Sequence, residues 1–441
     1  MQTKSTTRSG ILVLAGLLVA VTIARSEPKE IASSLTLERV IEEALRNNPQ
    51  IHAMQARWEA AQERPVQERT LPNPTLAIKG GNGVDDFSFP RTQETRVGVE
   101  QTFPWFGKLD LRGKVAEKDA AIVHHEHEAM ELEVVASVKE AYFDLYAVQL
   151  SLSITHAEED VLKEMETIAE SKYATGAVSQ QDVFKAQTEI TMLQQQLLEL
   201  EQQETTAKAK LNLLLNRPAD SSLGLAVTPP VLDVETDTAR LFALAQNARP
   251  EIQRAQMDIE RNEAQRNLMK KEFYPDYRLG VEYGHMDGGY TDFSGSENQV
   301  MLTIGFDLPI WRTKYRAGVR EAEKRIESSQ ADLEAAEKQI SYDVQDAHFK
   351  SVTAKRTVDL YKNSLIPQAE ARFRASEAAY RTGQVSFLDL LESERFLLNA
   401  RVMEAMAEGN LGTQLARQER ATGAGAKYVS RPSATNDPMK E

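Results

Sequence analysis

The residues able to do chemistry are few in kind. Cysteine is absent, which removes disulfides and thiolate metal sites. His124, His125 and His127 flank Glu126. On a helix His124 and His127 share a face and can touch one metal ion, but a helical metal pair is better served by a spacing of four, and no third ligand stands out. A hydrated helix surface is the favoured reading, and no metal site is assigned. His285 falls in a glycine-rich stretch read as a loop, without an obvious partner. Asp182 and Asp389 each stand three residues after a serine, Ser179 and Ser386, the spacing of a helix capping box with aspartate where glutamate is usual. No nucleophile–base set, phosphate loop or metal cluster emerges, so neither enzyme chemistry nor a cofactor is expected. The net charge of -14 argues against a nucleic-acid partner, which calls for a basic face.

The elements that must position these residues are long. Lys4 and Arg8 precede an apolar run over 10–23, with small residues around Ala24, the pattern of a cleaved secretory signal peptide over 1–24. A retained anchor is disfavoured, because a helical span needs roughly 20 apolar residues. No other stretch approaches a transmembrane helix. That leaves an exported soluble protein or an outer-membrane barrel, whose alternating strands escape a hydropathy plot. Ala44, Pro49 and Ile51 recur as Ala245, Pro250 and Ile252, roughly 200 residues later. Pro74 recurs as Pro275, Pro104 as Pro309, and Val138, Ala141 and Phe143 as Val344, Ala347 and Phe349. Tyr173, Thr175, Gly176, Val178, Ser179 and Asp182 recur as Tyr380, Thr382, Gly383, Val385, Ser386 and Asp389. The chain thus reads as two copies of one plan, 25–216 and 236–420. A loop-like linker over 217–235 joins them, and a loosely attached glycine- and proline-containing tail occupies 421–441.

Each copy begins with a helical run, about 35–69 and 236–272, closed by proline. A two-stranded hairpin follows, 75–102 and 277–308. In the second, Val300, Leu302, Ile304 and Phe306 alternate with Met301, Thr303, Gly305 and Asp307; in the first, Thr95 and Gln101 interrupt the apolar set of Val97 and Val99. The runs approach the roughly 9 to 11 residues of a tilted membrane strand. Phe103, Trp105, Phe106, Trp311 and Tyr315 come just after the strands, where aromatics suit a membrane interface or a junction. A long helix comes next, 109–172 and 315–380, with Gly113, Gly318 and Pro367 the interior breakers. At 1.5 Å per residue each is about 95 Å long. Val134, Val138, Ala141, Leu145, Val148, Leu152 and Thr155, and Ile340, Val344, Ala347, Ser351, Ala354, Val358, Tyr361 and Leu365, form seven-residue seams that call for coiled-coil partners. Turns over 175–179 and 382–386 end the long helices: Gly176 and Gly383 take the left-handed conformation, and Ser179 and Ser386 cap the returning helices.

Four strands cannot close a barrel, and an open sheet edge cannot face lipid. Membrane strands therefore have to be pooled, and three chains give about twelve, an allowed even count. The helix seams likewise need neighbours, and a closed ring of copies serves both demands. The expected fold is mainly α with a small membrane β part: long coiled-coil helices forming a trimeric α-barrel, continuous with a shared barrel of about twelve strands in the outer membrane.

With the repeated Tyr-x-Thr-Gly-x-Val-Ser-x-x-Asp signature and the duplicated helix–hairpin–long-helix plan, the chain closely resembles the TolC family of outer-membrane efflux proteins, over nearly everything from Leu35 to Arg420. The resemblance implies a homotrimer in outer-membrane lipid that passively conducts small solutes, drugs or metal cations, handed over by a periplasmic adaptor and an inner-membrane transporter. A transporter of the resistance-nodulation-division type is preferred. The alternatives are the exit duct of an ATP-driven type I protein secretion system and, less favoured, a periplasmic coiled-coil adaptor. Residue by residue, the family's acidic pore rings fall on Asp389 and Glu392, which three-residue spacing puts on one helix face. One of its entrance-gating links falls on Tyr380 and Asp182; another needs an arginine where Val385 stands. The adaptor-docking tips fall on Gly176, Val178 and Ser179 and on Gly383, Val385 and Ser386.

Overall fold

The structure, a computed structural model, describes residues 34–81, 94–227, 234–235, 237–286 and 297–424. The stretch read as a signal peptide and nearly all of the tail lie outside them. The chain opens with a short strand β1 (Ser34–Leu35), then α1 (Leu37–Asn47), α2 (Pro49–Gln62) and α3 (Arg64–Arg69). The single helix expected over 35–69 is therefore broken. Asn48 caps α2 by accepting from the Gln50 amide at 2.9 Å, and Pro49 starts it; a proline lacks the N–H that a continuing helix needs but suits a first turn. The matching run breaks at the same motif into α6 (Thr238–Ala248) and α7 (Pro250–Lys271), with Pro250 opening the second piece.

Strands β2 (Thr75–Gly81) and β3 (Glu94–Phe103) form one antiparallel hairpin, and β5 (Asp276–Met286) and β6 (Glu297–Asp307) another. The hairpins join through β3 and β5 into a four-stranded antiparallel sheet ordered β2-β3-β5-β6. The linker is not all loop. It holds β4 (Leu225–Ala226), which pairs in parallel with β1, and the buried Tyr142 hydroxyl donates to the carbonyls of Leu35 and Val227 at 3.0 and 2.8 Å.

The helix α4 (Lys108–Ala174) runs unbroken for 67 residues, about 100 Å at 1.5 Å per residue. It returns through α5 (Gln180–Leu214). In the second half α8 (Arg312–Leu360) gives way to a π-helical turn (Tyr361–Leu365) and α9 (Ile366–Arg381), before α10 (Phe387–Thr422) returns. The π turn lies where Pro367 would otherwise disrupt the ladder, and a one-residue register shift absorbs it. Its effect reaches the seam: Ile340, Val344, Ala347, Ser351, Ala354 and Val358 are buried, whereas Tyr361 and Leu365 are only half-buried.

The seam of α4 is buried throughout, from Val134 to Thr155. It packs on α5 and on α10. A Cβ added at Gly412 would meet the Phe143 ring at 2.2 Å, and one at Gly409 the Ala147 Cβ at 2.5 Å, so α10 approaches α4 as closely as glycine allows. Polar seam residues spend their hydroxyls locally: Ser151 and Thr155 donate to the carbonyls of Ala147 and Ser151, both at 2.8 Å, the i−4 bond that lets a hydroxyl be buried without loss. Ala421 and Thr422, assigned from sequence to the tail, belong to α10 and are buried, and Gly423 (φ 72°) ends the helix.

Candidate functional site

Strand register sorts the sheet into two unlike faces. On one face Leu76, Val99, Val281 and Leu302 stand in one row, and Ile78, Val97, Tyr283 and Val300 in another. Leu279 with Ile304, and Phe103 with Tyr277 and Phe306, continue it downward. Leu302 and Val300 are 70% and 71% exposed, an accessibility that water penalises and lipid rewards. From the Tyr277 row to the Tyr283 row is about 20 Å of strand, close to the apolar band of roughly 25 Å in outer-membrane barrels. The other face carries ion pairs: Lys79 with Glu282 at 2.8 Å, Arg96 with Glu282 at 3.4 Å, and Arg278 with Asp307 at 2.9 Å. The two residues that interrupt the first hairpin's pattern are explained by register. Gln101 sits at the lower end, where its amide donates to the Pro72 carbonyl at 2.8 Å. Thr95 pairs with His285 in a polar row, and Nδ1 of His285 lies 2.8 Å from Asn298 Oδ1. His285 is thus a partnered strand residue and not a loop histidine.

Below the sheet the chain is clipped to the helices. The Lys108 ammonium, 2% exposed, lies 2.8 Å from Asp276 and 3.3 Å from Glu272 and donates to the Tyr274 carbonyl at 3.2 Å. Trp105 stacks on Tyr274 with centroids 5.3 Å apart. Trp105 is therefore a junction residue, while Phe106 and Trp311 are 70% and 73% exposed.

At the far end both turns have the expected glycines, Gly176 (φ 73°) and Gly383 (φ 75°), but they differ in chemistry. In the second, Ser386 Oγ accepts from the Asp389 amide at 3.3 Å and the Asp389 carboxylate accepts from the Ser386 amide at 3.0 Å, a reciprocal capping box. These bonds, from the Ser386 hydroxyl first and its backbone N–H second, hold the Asp389 carboxyl below its ordinary value. In the first turn Ser179 makes no side-chain cap, and Asp182 accepts from Lys185 at 3.3 Å. Six residues past each serine stand Lys185 in the first turn and Glu392 in the second. The first turn neutralises its acid, and the second doubles it. Asp389 and Glu392 are both exposed on α10, and Val178 and Val385 are half-buried.

The expected Tyr380–Asp182 hydrogen bond is not formed. The Tyr380 hydroxyl is buried without a hydrogen-bond partner. Burial first, then the nearby Asp182 carboxylate, push that phenol up. The ring is held by Phe387 (centroids 5.3 Å apart) and by the Lys172 ammonium 4.3 Å from its centre. It also lines a cavity of about 210 Å³ between α4 and α9, with Val161, Met165, Phe373 and Leu390.

One feature escaped the sequence reading and a second differs from it. Glu158 on α4 and Glu394 on α10 meet inside the helical packing, 5% and 1% exposed. Burial first, then the hydrogen bond and charge of Glu158, push the Glu394 carboxyl up to about 10. Arg395 beside it is engaged with Glu189. Only the break in the apolar run Leu390, Leu391, Leu397 and Leu398 signals Glu394 in sequence. The histidines are the second feature. They are half-buried and not a hydrated surface: His124 and His127 both stack on Trp58 of α2, with centroids 4.3 and 6.0 Å away. Burial is the largest influence on both imidazoles and holds them below their ordinary value. Among the described residues no group of three histidines and acids is arranged around one metal position.

A sheet with one lipid-like face, set on helices of about 100 Å, defines an outer-membrane channel protein with a long periplasmic helical extension. The family model described as outer membrane efflux protein matches residues 40–217 and 241–424. The chain belongs to that family. It is 22% identical over 386 residues to the cobalt-zinc-cadmium resistance protein CzcC of Cupriavidus metallidurans, covering 85% of this chain and 87% of that protein. It is 22% identical over 392 residues to the pyoverdine export outer membrane protein OpmQ of Pseudomonas putida, covering 85% and 82%. Among solved structures, the outer membrane protein VceC of Vibrio cholerae superposes with a TM-score of 0.72 at 20% identity, over 88% of this chain and 96% of that one.

Proposed function

We propose that three copies of this chain assemble into a continuous duct, with a shared barrel of about twelve strands in the outer membrane and a helical tube below it. The two halves of each chain are copies of one plan. The duct conducts small solutes outward without an energy source of its own, from a periplasmic adaptor and an inner-membrane pump of the resistance-nodulation-division type. The observation that carries this reading is the sheet: one face with a continuous apolar band, and β2 and β6 each lacking a partner on the outer side among the described residues. An open edge in hydrocarbon costs several kcal/mol per unsatisfied group, and β6 of one copy pairing with β2 of the next removes every edge. Asp389 and Glu392 then form two threefold acidic rings at the periplasmic entrance, a constriction favouring cations. The turns at Gly176, Val178 and Ser179 and at Gly383, Val385 and Ser386 dock the adaptor. The named relatives serve metal resistance and pyoverdine export respectively, and the entrance acids favour a cationic cargo over an anionic one.

The test is light-scattering mass of the purified protein. The expected result is extraction only by detergent and a protein mass of three chains after subtraction of the micelle. A detergent-independent monomer would overturn the proposal and favour a soluble coiled-coil adaptor. Crosslinks from the two turns to the adaptor, absent from positions near the sheet, are the expected mark of tip docking.

A further inference from the structure

We propose that α4 carries a divalent transition-metal site on the face formed by His127 and Glu131, with His124 and Glu128 beside it. This goes beyond conduction, because the face lies on the upper part of α4, far along the helix from the entrance turns.

The four residues are spaced three and four apart, so they form one stripe on the helix. His127 Nε2 and Glu131 Oε1 are 3.8 Å apart, and His124 Nε2 and Glu128 Oε1 are 3.5 Å apart. Both separations are too long for a hydrogen bond, whose N···O distance is about 2.7–3.2 Å. They are close to what a shared ion needs. Donors each about 2.0–2.2 Å from zinc, at a tetrahedral angle, lie roughly 3.4 Å from each other. A small side-chain rotation closes the difference.

One donor atom is also left waiting. His127 Nε2 is buried and has no hydrogen-bond partner. The side chains of His127 and Glu131 are 12% and 11% exposed. Among the described residues no lysine or arginine forms an ion pair with Glu128 or Glu131; their charged neighbours are the histidines. Glu128 is already engaged by His125 Nδ1 at 2.8 Å, which leaves Glu131 as the carboxylate that faces His127. Trp58 stacks on the His124 and His127 rings and fixes their planes, as outer supports do in metal sites.

Because three donors do not converge on one position in the structure, the ion takes His127 and Glu131 from the protein and completes its shell with water. A mixed imidazole–carboxylate pair selects zinc, cobalt or nickel over magnesium or calcium, which prefer all-oxygen shells. Scanning for paired histidines misses the site, since His124 and His127 are each paired four residues on with a glutamate.

The experiment is isothermal titration of zinc chloride and cobalt chloride into chelator-stripped, tag-free protein in detergent, with magnesium chloride as control. The expected result is one zinc per chain in the micromolar range and no magnesium uptake at the same concentration. His127→Gln and Glu131→Gln should each weaken zinc binding about tenfold or more, while His285→Gln leaves it unchanged. Zinc should also raise the thermal midpoint of the wild type and not of His127→Gln, whose metal-free melt reports that it folds. Zinc uptake at background level, or uptake untouched by both substitutions, would overturn the proposal.

Discussion

Asp389 belongs to its helix and, in the proposed assembly, to the entrance. Its carboxylate closes the capping box with Ser386, and its exposure on α10 beside Glu392 leaves charge to face outward. The capping role was legible in the spacing; the contrast with Asp182 was not, because it depends on Lys185 reaching back along α5. In planar bilayers, Asp389→Asn with Glu392→Gln is expected to relieve block by divalent cations about tenfold, as loss of a charged ring should. Asp182→Asn, whose charge is already met by Lys185, should change the block little. Glu394 makes a separate prediction. It keeps its proton in the fold up to about 10, against an ordinary 4.5, so the folded state binds more protons than the unfolded one between those values. Stability therefore declines as pH rises from about 4.5 towards about 10. Glu394→Gln should flatten this slope in thermal melts across pH 5 to about 9; an unchanged slope would place its origin elsewhere. Nothing in the sequence pairs Glu158 with Glu394, since their meeting is set by the α4–α10 register.

At the scale of elements, local rules carried the strands and long helices. Period-two alternation placed Val300, Leu302, Ile304 and Phe306 on one side, and the pairing register shows them sharing it with β2, β3 and β5. The first hairpin was harder to read, because Thr95 and Gln101 occupy the ends of the apolar band. The broken first helix was legible in principle: Asn48-Pro49 is a cap followed by a first-turn proline, and Arg249-Pro250 opens the matching helix. The π turn ahead of Pro367 was not legible, since a proline can also kink or end a helix. The two faces of the sheet predict opposite outcomes for one substitution. Leu302→Arg, on the apolar face, should cost roughly 2–4 kcal/mol at mid-membrane depth and lower the yield of outer-membrane protein. Thr303→Arg, its neighbour on the polar face, should leave the yield near wild type. Equal loss in both, measured by membrane fractionation and denaturant titration, would mean that the exposed apolar rows do not face lipid.

For the whole molecule, what one chain leaves unfinished is more informative than what it completes. Its core is built around α4, which touches α1, α2, α3, α5, α7 and α10. Yet Leu198, Leu213, Tyr342, Phe349 and Leu360 remain largely exposed along the helices, and among the described residues the sheet has two open edges. Sequence could foresee that need for partners, because a seven-residue seam and four strands are each insufficient alone. Cargo and pump identity were beyond it, because they depend on surfaces of other proteins. The measurement closest to the central claim is the single-channel conductance of purified protein in a planar lipid bilayer. The account predicts stable, cation-selective steps that fall in selectivity when Asp389 and Glu392 are neutralised. Protein that inserts without conducting, or fails to enter the bilayer, would contradict it.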